Sequence, residues 1–159
     1  MERIYNKGIV AILHNIRSLH NVGSMFRTAD AAGVTKVYLT GYTSAPLDTF
    51  GKWRGEIAKT ALGAERTVAW EHHKRISDVL QKLHREGVCV IALEQGARAV
   101  DYRNVNTRDP FALVVGNEVR GLSKQVLQQC DIIAEIPMHG KKESLNVAVV
   151  FGVALFSLI

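Results

Sequence analysis

The sequence is poor in cysteine, proline and long apolar runs, and each shortage excludes a class of protein. Cys89 and Cys130 are too few for a disulfide-rich secreted fold, and they form no zinc-binding cluster. The three prolines provide no Pro-rich linker. No apolar run reaches the roughly 20 residues that cross a bilayer, and Met1 to Lys7 begin no signal peptide. We therefore expect a reduced, cytoplasmic protein with no membrane segment and no bound metal.

Several common ligand-binding motifs are also missing. No G-x-G-x-x-G follows the first predicted strand, and neither a P-loop nor a G-x-S-x-G occurs. His72, His73 and His139 have no carboxylate or histidine partner at ligand spacing. A dinucleotide cofactor bound in the usual way, a P-loop nucleotide site and a serine hydrolase are therefore disfavoured.

The 159 residues suffice for one domain, and we expect 1–159 to form a single one. The formal charge of +5 is compatible with a polyanionic partner, but the cations are spread over the whole chain. Charge alone therefore does not identify the partner.

Apolar runs alternate with helical periodicity along the chain. Val22, Met25, Phe26 and Ala29 repeat as one helical face that ends at Gly33. Such alternation predicts an α/β fold in three layers, with a mostly parallel sheet. The segment 42–65 has no strong period, so it is either a mobile loop or contains short helices. The predicted strands are 8–15, 36–41, 66–70, 87–94, 111–116 and 131–137.

Polar residues and glycines gather where the predicted strands end. Asn15, Glu94, Gly116 and Met138 lie at or next to the carboxyl ends of four of them. Ligands of open parallel sheets bind outside these ends. We therefore expect the functional site there.

The first block of interest is NIRSLHNVGSMFRTADAAG, from Asn15 to Gly33. Asn21, Ser24 and Arg27 are three residues apart and form a polar stripe on an otherwise apolar helix. Taken alone, the stripe is best explained as the surface of a capped helix with one solvated arginine, because most such stripes are only surface.

The second block, LVVGNEVRGLS, runs from Leu113 to Ser123. Gly116 lets a ligand approach the backbone closely. Glu118 is a candidate base, an anchor for Arg or Asn, or a plain turn residue. Ser123 is placed to cap a short helix over 124–129.

The third block, IPMHGKKESLNVAVVFGVALFSLI, begins at Ile136. Ser144 is a candidate N-cap, and Asn146 would then be the second residue of the helix, where it costs roughly half a kcal/mol relative to alanine. We therefore expect Asn146 to have a specific partner. The helix is apolar on every side, so it must be buried in a core or against another chain.

Together, NVGSMFRTADAAGV, LVVGNEVRGLS and IPMHGKKESLNVAVVFGVALF resemble the three motifs of the SpoU (TrmH-like) branch of the SPOUT methyltransferases. The resemblance covers nearly the whole chain. It implies a C-terminal trefoil knot, S-adenosyl-L-methionine as cofactor and a homodimer. It also implies methyl transfer to a ribose 2′-hydroxyl of tRNA or rRNA.

The resemblance also assigns site residues. Many relatives carry RNA-binding extensions that this chain lacks, so RNA contacts would come from the domain itself or from a partner. Ala148 stands where many relatives have a small hydroxyl residue. The implied catalytic residues are Asn21, Arg27, Glu118, Ser144 and Asn146; the implied cofactor-binding residues are Leu93, Glu94, Gly116, Ile136, Met138, Ser144, Leu145 and Asn146; the candidate RNA contacts are Arg17, Lys52, Arg54, Lys141 and Lys142.

Two roles are open for Arg27. Family members suggest that it is the base, but a guanidinium stays protonated in proteins, and a bidentate clamp on an RNA phosphate suits it better. Glu118 and Asn146 would orient Arg27 and the cofactor loop. The alternatives are a non-catalytic RNA-binding or ribosome-assembly module on the same fold, and methylation of a base or a small molecule.

Overall fold

The computed structural model describes residues 8–107 and 110–159, and these form a seven-stranded sheet with helices on both faces. Met1 to Lys7, and with them the start of the predicted 1–159 domain, lie outside the described residues. The strands are β1 (Ile9–His14), β2 (Lys36–Thr40), β3 (Trp70–His73), β4 (Cys89–Leu93), β5 (Val100–Asp101), β6 (Phe111–Val115) and β7 (Ile132–Glu135). The helices are α1 (Leu19–Ala32), α2 (Gly55–Ala61), α3 (Ala64–Thr67), α4 (Ile76–Arg85), α5 (Lys124–Gln128) and α6 (Val147–Leu158), with a 3₁₀ turn at Tyr102–Asn104.

The sheet order is β3-β2-β1-β6-β4-β7-β5, and the pairings among these strands are parallel. The predicted α/β class and mostly parallel sheet are therefore confirmed. Because the strands are parallel, the carboxyl ends of β1, β4, β6 and β7 meet at one edge. The polar residues that follow these four strands are thereby brought together.

Two cores cover the two faces of the sheet, as the two-residue period of a strand requires. In β1, Ile9, Ala11 and Leu13 face the core formed with α1 and α6. Val10 and Ile12 face the other core, which α4 and Val126 of α5 cover. These central strands are apolar on both sides, which explains why they were predicted from continuous apolar runs.

The predicted strand at 66–70 is wrong. Ala64–Thr67 is instead one helical turn that begins after Gly63, whose φ is 95°, and the Glu65 carboxylate accepts the Gly63 N–H at 2.9 Å. This side-chain hydrogen bond favours a turn over an extended backbone. The strand follows as β3, where Trp70 pairs with Val37.

Two other regions contain structure that the sequence did not specify. The segment 42–65 holds α2, which is one of the two alternatives left open for it. The two-residue strand β5 was not predicted, because an edge strand of this length has no period to detect.

The last helix begins later than expected. Asn146, not Ser144, is the N-cap, and its Oδ1 accepts the N–H groups of Ala148 (2.9 Å) and Val149 (3.4 Å). Asn146 has extended backbone angles, so it carries no helix-propensity cost. Because the helix starts at Val147, Ser144 and Leu145 remain in the preceding loop.

Helix α6 is apolar on all sides, but residues 8–107 and 110–159 cover only one side of it. Phe151, Ala154 and Leu155 are fully buried, whereas Val149, Val153 and Phe156 are 40% to 51% exposed. Across residues 8–107 and 110–159, no helix combines the length and the hydropathy needed to cross a bilayer.

Candidate functional site

A cleft lies at the carboxyl ends of β4, β6 and β7. Its floor is formed by the strand ends, and the loop between β7 and α6 forms one wall. Apolar side chains and exposed backbone share the lining, which suits a ligand with both apolar and polar parts. The lining residues are Leu93, Glu94, Gln95, Val115, Gly116, Asn117, Glu118, Val119, Gly121, Ala134, Glu135, Ile136, Met138, Ser144, Leu145, Val147 and Val150.

A tight turn after β6 shapes one side of this cleft. A Cβ on Gly116 would lie 2.8 Å from the Gly121 carbonyl oxygen, so only glycine allows this packing. Gly121 has a φ of 64°, and a side chain there would meet the Glu94 carboxylate. The Glu94 carboxylate accepts the N–H groups of Leu122 (2.7 Å) and Gln95 (3.1 Å). Glu94 therefore fixes the turn to the end of β4.

One hydrogen-bonded chain joins the three sequence blocks beside the cleft. Asn146 Nδ2 donates to Asn21 Oδ1 at 3.2 Å, and Asn21 Nδ2 donates to Glu118 Oε1 at 3.2 Å. Glu118 also accepts the N–H groups of Ser18 (3.0 Å) and Arg17 (3.1 Å). The carboxylate after β6 thus holds the start of α1, and Asn21 connects α1 to the N-cap of α6.

The groups at the two ends of this hydrogen-bonded series, the α6 N–H groups and the Glu118 carboxylate, determine the orientation of both side-chain amides. Asn146 must present its oxygen to the helix N–H groups, so its nitrogen is left to donate. Asn21 must present its nitrogen to the Glu118 carboxylate, so its oxygen is left to accept. Each side-chain amide can therefore satisfy its hydrogen-bond partners in only one of its two flipped orientations.

Glu118 is held as an anion. Burial raises the pKa of Glu118, but the hydrogen bonds from Ser18, Arg17 and Asn21 outweigh it, and the net result is a pKa below the ordinary value. A carboxylate whose oxygens accept three N–H groups is a poor base. The contacts of Glu118 support the anchoring role and not the role of general base.

The predicted cofactor-binding residues lie together, with one exception. Leu93, Glu94, Gly116, Ile136, Met138, Ser144 and Leu145 all line the cleft. Asn146 is the exception, because its side chain caps α6 and bonds to Asn21.

Arg27 lies elsewhere. It is exposed six residues further along α1 than Asn21, in a shallow groove with Ser24, Lys59 and Phe156. Glu118 and Asn146 each bond to Asn21 rather than to Arg27. These two residues therefore contact α1 at Asn21 and not at Arg27.

Comparison with known proteins identifies the family of this chain. The family model described as the SpoU rRNA Methylase family matches residues 8–156. The chain belongs to the SpoU rRNA methylase family. The match includes the first two blocks, the third block up to Phe156, and every residue of the hydrogen-bonded chain.

Relatives within and around the SpoU family include rRNA and tRNA enzymes. The 23S rRNA (guanosine-2′-O-)-methyltransferase RlmB of Ralstonia nicotianae is 33% identical over 159 residues, which is 100% of this chain and 61% of that protein. The AdoMet-bound rRNA methyltransferase of Sinorhizobium meliloti has a TM-score of 0.84 at 28% identity, covering 96% of this chain and 56% of that one. This chain thus spans about three-fifths of the length of these relatives.

One solved structure matches the SpoU domain at nearly equal length. It comes from work on the 2-OH methylation of C/U34 on tRNA, with a TM-score of 0.76 and 28% identity. The match covers 93% of this chain and 91% of that one.

Sequence reasoning missed several residues that build the site. Asn117 accepts the N–H groups of Val119 (2.9 Å) and Arg120 (2.8 Å) with Oδ1, and so forms the turn after β6. Gln95 Nε2 donates to the Glu143 carbonyl at 2.8 Å and ties the β4 end to the loop before α6. The Asn after Gly116 was a usable signal for the first, since Asn side chains commonly cap turns. No local signal marks Gln95.

In residues 8–107 and 110–159, no group of three His, Cys, Asp or Glu side chains is arranged to hold an ion. The cleft is lined by aliphatic side chains, by the polar side chains of Gln95, Asn117 and Ser144, and by three carboxylates, of which Glu94 and Glu118 accept backbone N–H groups; the third is Glu135.

Proposed function

We propose that this protein transfers a methyl group from S-adenosyl-L-methionine to a ribose 2′-hydroxyl of tRNA or rRNA. The observation that carries the proposal is the cleft at the ends of β4, β6 and β7, joined to α1 by the chain Asn146–Asn21–Glu118. Family membership and the AdoMet-bound Sinorhizobium relative support it. As a protein acting on tRNA or rRNA, it would work in the cytoplasm.

The cleft residues fit such a cofactor. An adenosyl group needs apolar contact for its ring and backbone groups for its edge, and a cleft of this composition offers both. Leu93, Ile136, Met138 and Leu145 supply apolar surface, and Gly116 leaves backbone accessible. When bound, S-adenosyl-L-methionine supplies an activated methyl group. The protein's part is to hold the ribose oxygen in line with it, because positioning supplies much of the rate.

Arg27 is proposed as the group that fixes the RNA. Its exposed guanidinium can bind a phosphate through two parallel N–H donors, and this fixes the attached ribose. Ser144, exposed on the cleft wall, is placed to contact the reacting ribose or the cofactor. The proton of the 2′-hydroxyl is then released to the phosphate or to solvent.

We further propose a homodimer that uses the exposed side of α6. Val149, Val153 and Phe156 are spaced four and three residues apart and form one apolar stripe. Phe156 lines the same groove as Arg27, so a second copy on this stripe would lie beside Arg27. This would leave the guanidinium open to RNA but in less water, which strengthens its interaction with phosphate.

The proposed trefoil knot involves the segment after β7. Strands β4 and β5 are consecutive in the sequence but not adjacent in the sheet, because β7 lies between them and pairs with both. The chain then leaves β7, and Gln95 in the β4–β5 connection bonds to it at Glu143. Helix α6 contacts β4, β6 and the 3₁₀ turn after β5. A strand inserted between β4 and β5, with the segment after it against their connection, is the arrangement expected for a knot, and it supports the proposal.

Two measurements test the function. Calorimetry with S-adenosyl-L-methionine should show binding, and RNA from a strain lacking the gene should lack one 2′-O-methyl nucleoside. Absence of cofactor binding would instead favour an RNA-binding module without catalysis. A lost base methyl would favour base methylation on the same fold.

A further inference from the structure

A second groove adjoins the cofactor cleft and has a fixed aromatic residue at its edge. The two depressions share Asn117, Glu118 and Val119, and the second one extends to Tyr42 and the loop before α1. The groove is lined by Arg17, Ser18, Leu19, His20, Tyr42, Glu56, Asn117, Glu118, Val119 and Arg120. None of the site residues assigned above explains why Tyr42 is exposed here.

Tyr42 is 59% exposed, yet it is anchored at both ends. Its backbone N–H donates to Asn15 Oδ1 at 3.1 Å, and its phenol oxygen accepts Asn117 Nδ2 at 2.8 Å. Asn117 is itself fixed, because Nδ2 also donates to the Asn15 carbonyl at 3.1 Å and Oδ1 accepts the two N–H groups of its turn. Asn15 adopts a φ of 54° to serve both partners. The ring is therefore held in place before any ligand arrives.

The groups around the ring suit a nucleotide. Arg17, His20 and Arg120 are exposed donors on the rim. Of the two carboxylates in the groove, Glu118 is already satisfied by N–H groups, and Glu56 is exposed. The phenol oxygen accepts from Asn117, so its own hydrogen remains available to donate. Unpaired RNA bases are commonly recognised by stacking on such aromatic side chains, with cations on the backbone.

We propose that Tyr42 is a stacking platform for an unpaired nucleobase next to the methylated nucleotide. The groove is continuous with the cofactor cleft, so a nucleotide on Tyr42 lies one step from the ribose that reacts. The substrate at this point is therefore single-stranded, as in a loop. Because the ring is already fixed before RNA binds, less conformational entropy is lost on binding. The inference rests on the proposed function, because it names how that site holds RNA.

Two substitutions separate the ring from the hydroxyl. Tyr42→Phe keeps the ring and removes the hydrogen bond to Asn117, whereas Tyr42→Leu removes the aromatic face and keeps apolar bulk. Phe50→Leu is the matched control, since Phe50 is 86% exposed at another position of the same β2–α2 segment and does not line the groove. The assay is transfer of tritiated methyl from S-adenosyl-L-methionine to tRNA or rRNA from a strain lacking the gene.

We expect the KM for RNA to rise roughly five- to 150-fold in Tyr42→Leu, which is the range for losing one stacked base. The KM for RNA of Tyr42→Phe and of Phe50→Leu should stay within about threefold of the wild-type KM. The Kd for the cofactor should be unchanged in all three variants. An unchanged KM in Tyr42→Leu, an equal loss in Tyr42→Phe, or an equal loss in Phe50→Leu would each overturn the platform.

A second measurement does not depend on catalysis. Quenching of 2-aminopurine in a single-stranded RNA oligonucleotide reports stacking directly, and we expect quenching with wild type and Tyr42→Phe but not with Tyr42→Leu. If no RNA accepts methyl groups, the proposed function fails, and this assay still decides whether Tyr42 stacks a base. Equal quenching by all variants overturns the platform even in an active enzyme.

Discussion

Asn146 and Asn21 are 125 positions apart in the sequence and share a hydrogen bond of 3.2 Å. This bond joins the N-cap of α6 to the first turn of α1, and Asn21 passes the connection on to Glu118. The side chain of Asn146 thus does two things at once: its oxygen caps a helix and its nitrogen couples two parts of the site. The loop 136–145 between β7 and α6, which is the proposed cofactor loop, is held from both of its ends, by β7 and by this cap.

The two roles of Asn146 can be separated by substitution. Asn146→Asp keeps an oxygen for the cap, and its charge suits a helix N-terminus, but it cannot donate to Asn21. Asn146→Ala loses both functions. We expect Asn146→Ala to lower the free energy of unfolding by about 0.5–2 kcal/mol and Asn146→Asp to lower it less. Both should weaken cofactor binding in calorimetry. Normal cofactor binding by Asn146→Asp would show that the coupling to Asn21 is dispensable.

Acid should remove the contribution of Glu118. Its pKa is lower folded than unfolded, so it stabilises the fold above its ordinary pKa near 4.5, and the stabilisation disappears as the pH falls through the folded value. Glu118→Gln should therefore lower the free energy of unfolding by about 1–3 kcal/mol at neutral pH and by much less in acid.

Urea denaturation at about pH 7 and about pH 3 checks this difference. Other carboxylates, such as Asp101, whose pKa Arg103 lowers to about 2, titrate alike in both proteins and cancel. If the difference in the free energy of unfolding between the wild type and Glu118→Gln did not change with pH, this would contradict the anchoring role of the Glu118 anion.

Replacing Arg27 by lysine tests the phosphate clamp. Arg27→Lys keeps the charge and loses the planar fork, so we expect turnover to be abolished while cofactor binding survives. Arg85→Lys is the control, because Arg85 is exposed at the end of α4 on the other face of the sheet. Near-normal turnover of Arg27→Lys would rule out both the clamp and the base.

The α6 stripe should hold a dimer together. We expect light scattering to give a dimer for the wild type at micromolar concentration and a monomer for Val153→Glu, because a charge would be buried at the interface. Gln81→Glu adds the same charge to an exposed position of α4 and should stay dimeric. A stable wild-type monomer would refute the proposed homodimer.

RNA affinity should depend on salt through exposed lysines of the cofactor loop. Lys141 and Lys142 are exposed, whereas Arg54 already donates to the Ala45 carbonyl at 3.1 Å. Changing both lysines to glutamine should reduce the salt slope of RNA binding by about 1.5. Arg85→Gln, at the opposite edge of the sheet, should leave the slope unchanged. Equal slopes for all three proteins would exclude the two lysines from the RNA contact.

The strand ends were predictable because parallel strands share one edge. Glu94, Gly116 and Met138 were placed at this edge from apolar runs alone, and the structure brings them into one cleft. The helix face of α1 was equally readable, since Val22, Met25, Phe26 and Ala29 are all buried. Strand 66–70 failed because a short edge segment has little apolar signal and Glu65 favours a turn.

The sequence by itself determined the fold class and the edge of the sheet that carries the site, because these depend on local periodicity, and its resemblance to a known family brought together the three blocks that build the site. Only the tertiary structure decided that Asn146 is a cap, that it bonds to Asn21, and that Arg27 lies apart from the Glu118 anchor. It also decided which side of α6 stays open. These are contacts between residues far apart in the chain, and no local pattern encodes which distant partner a polar side chain meets.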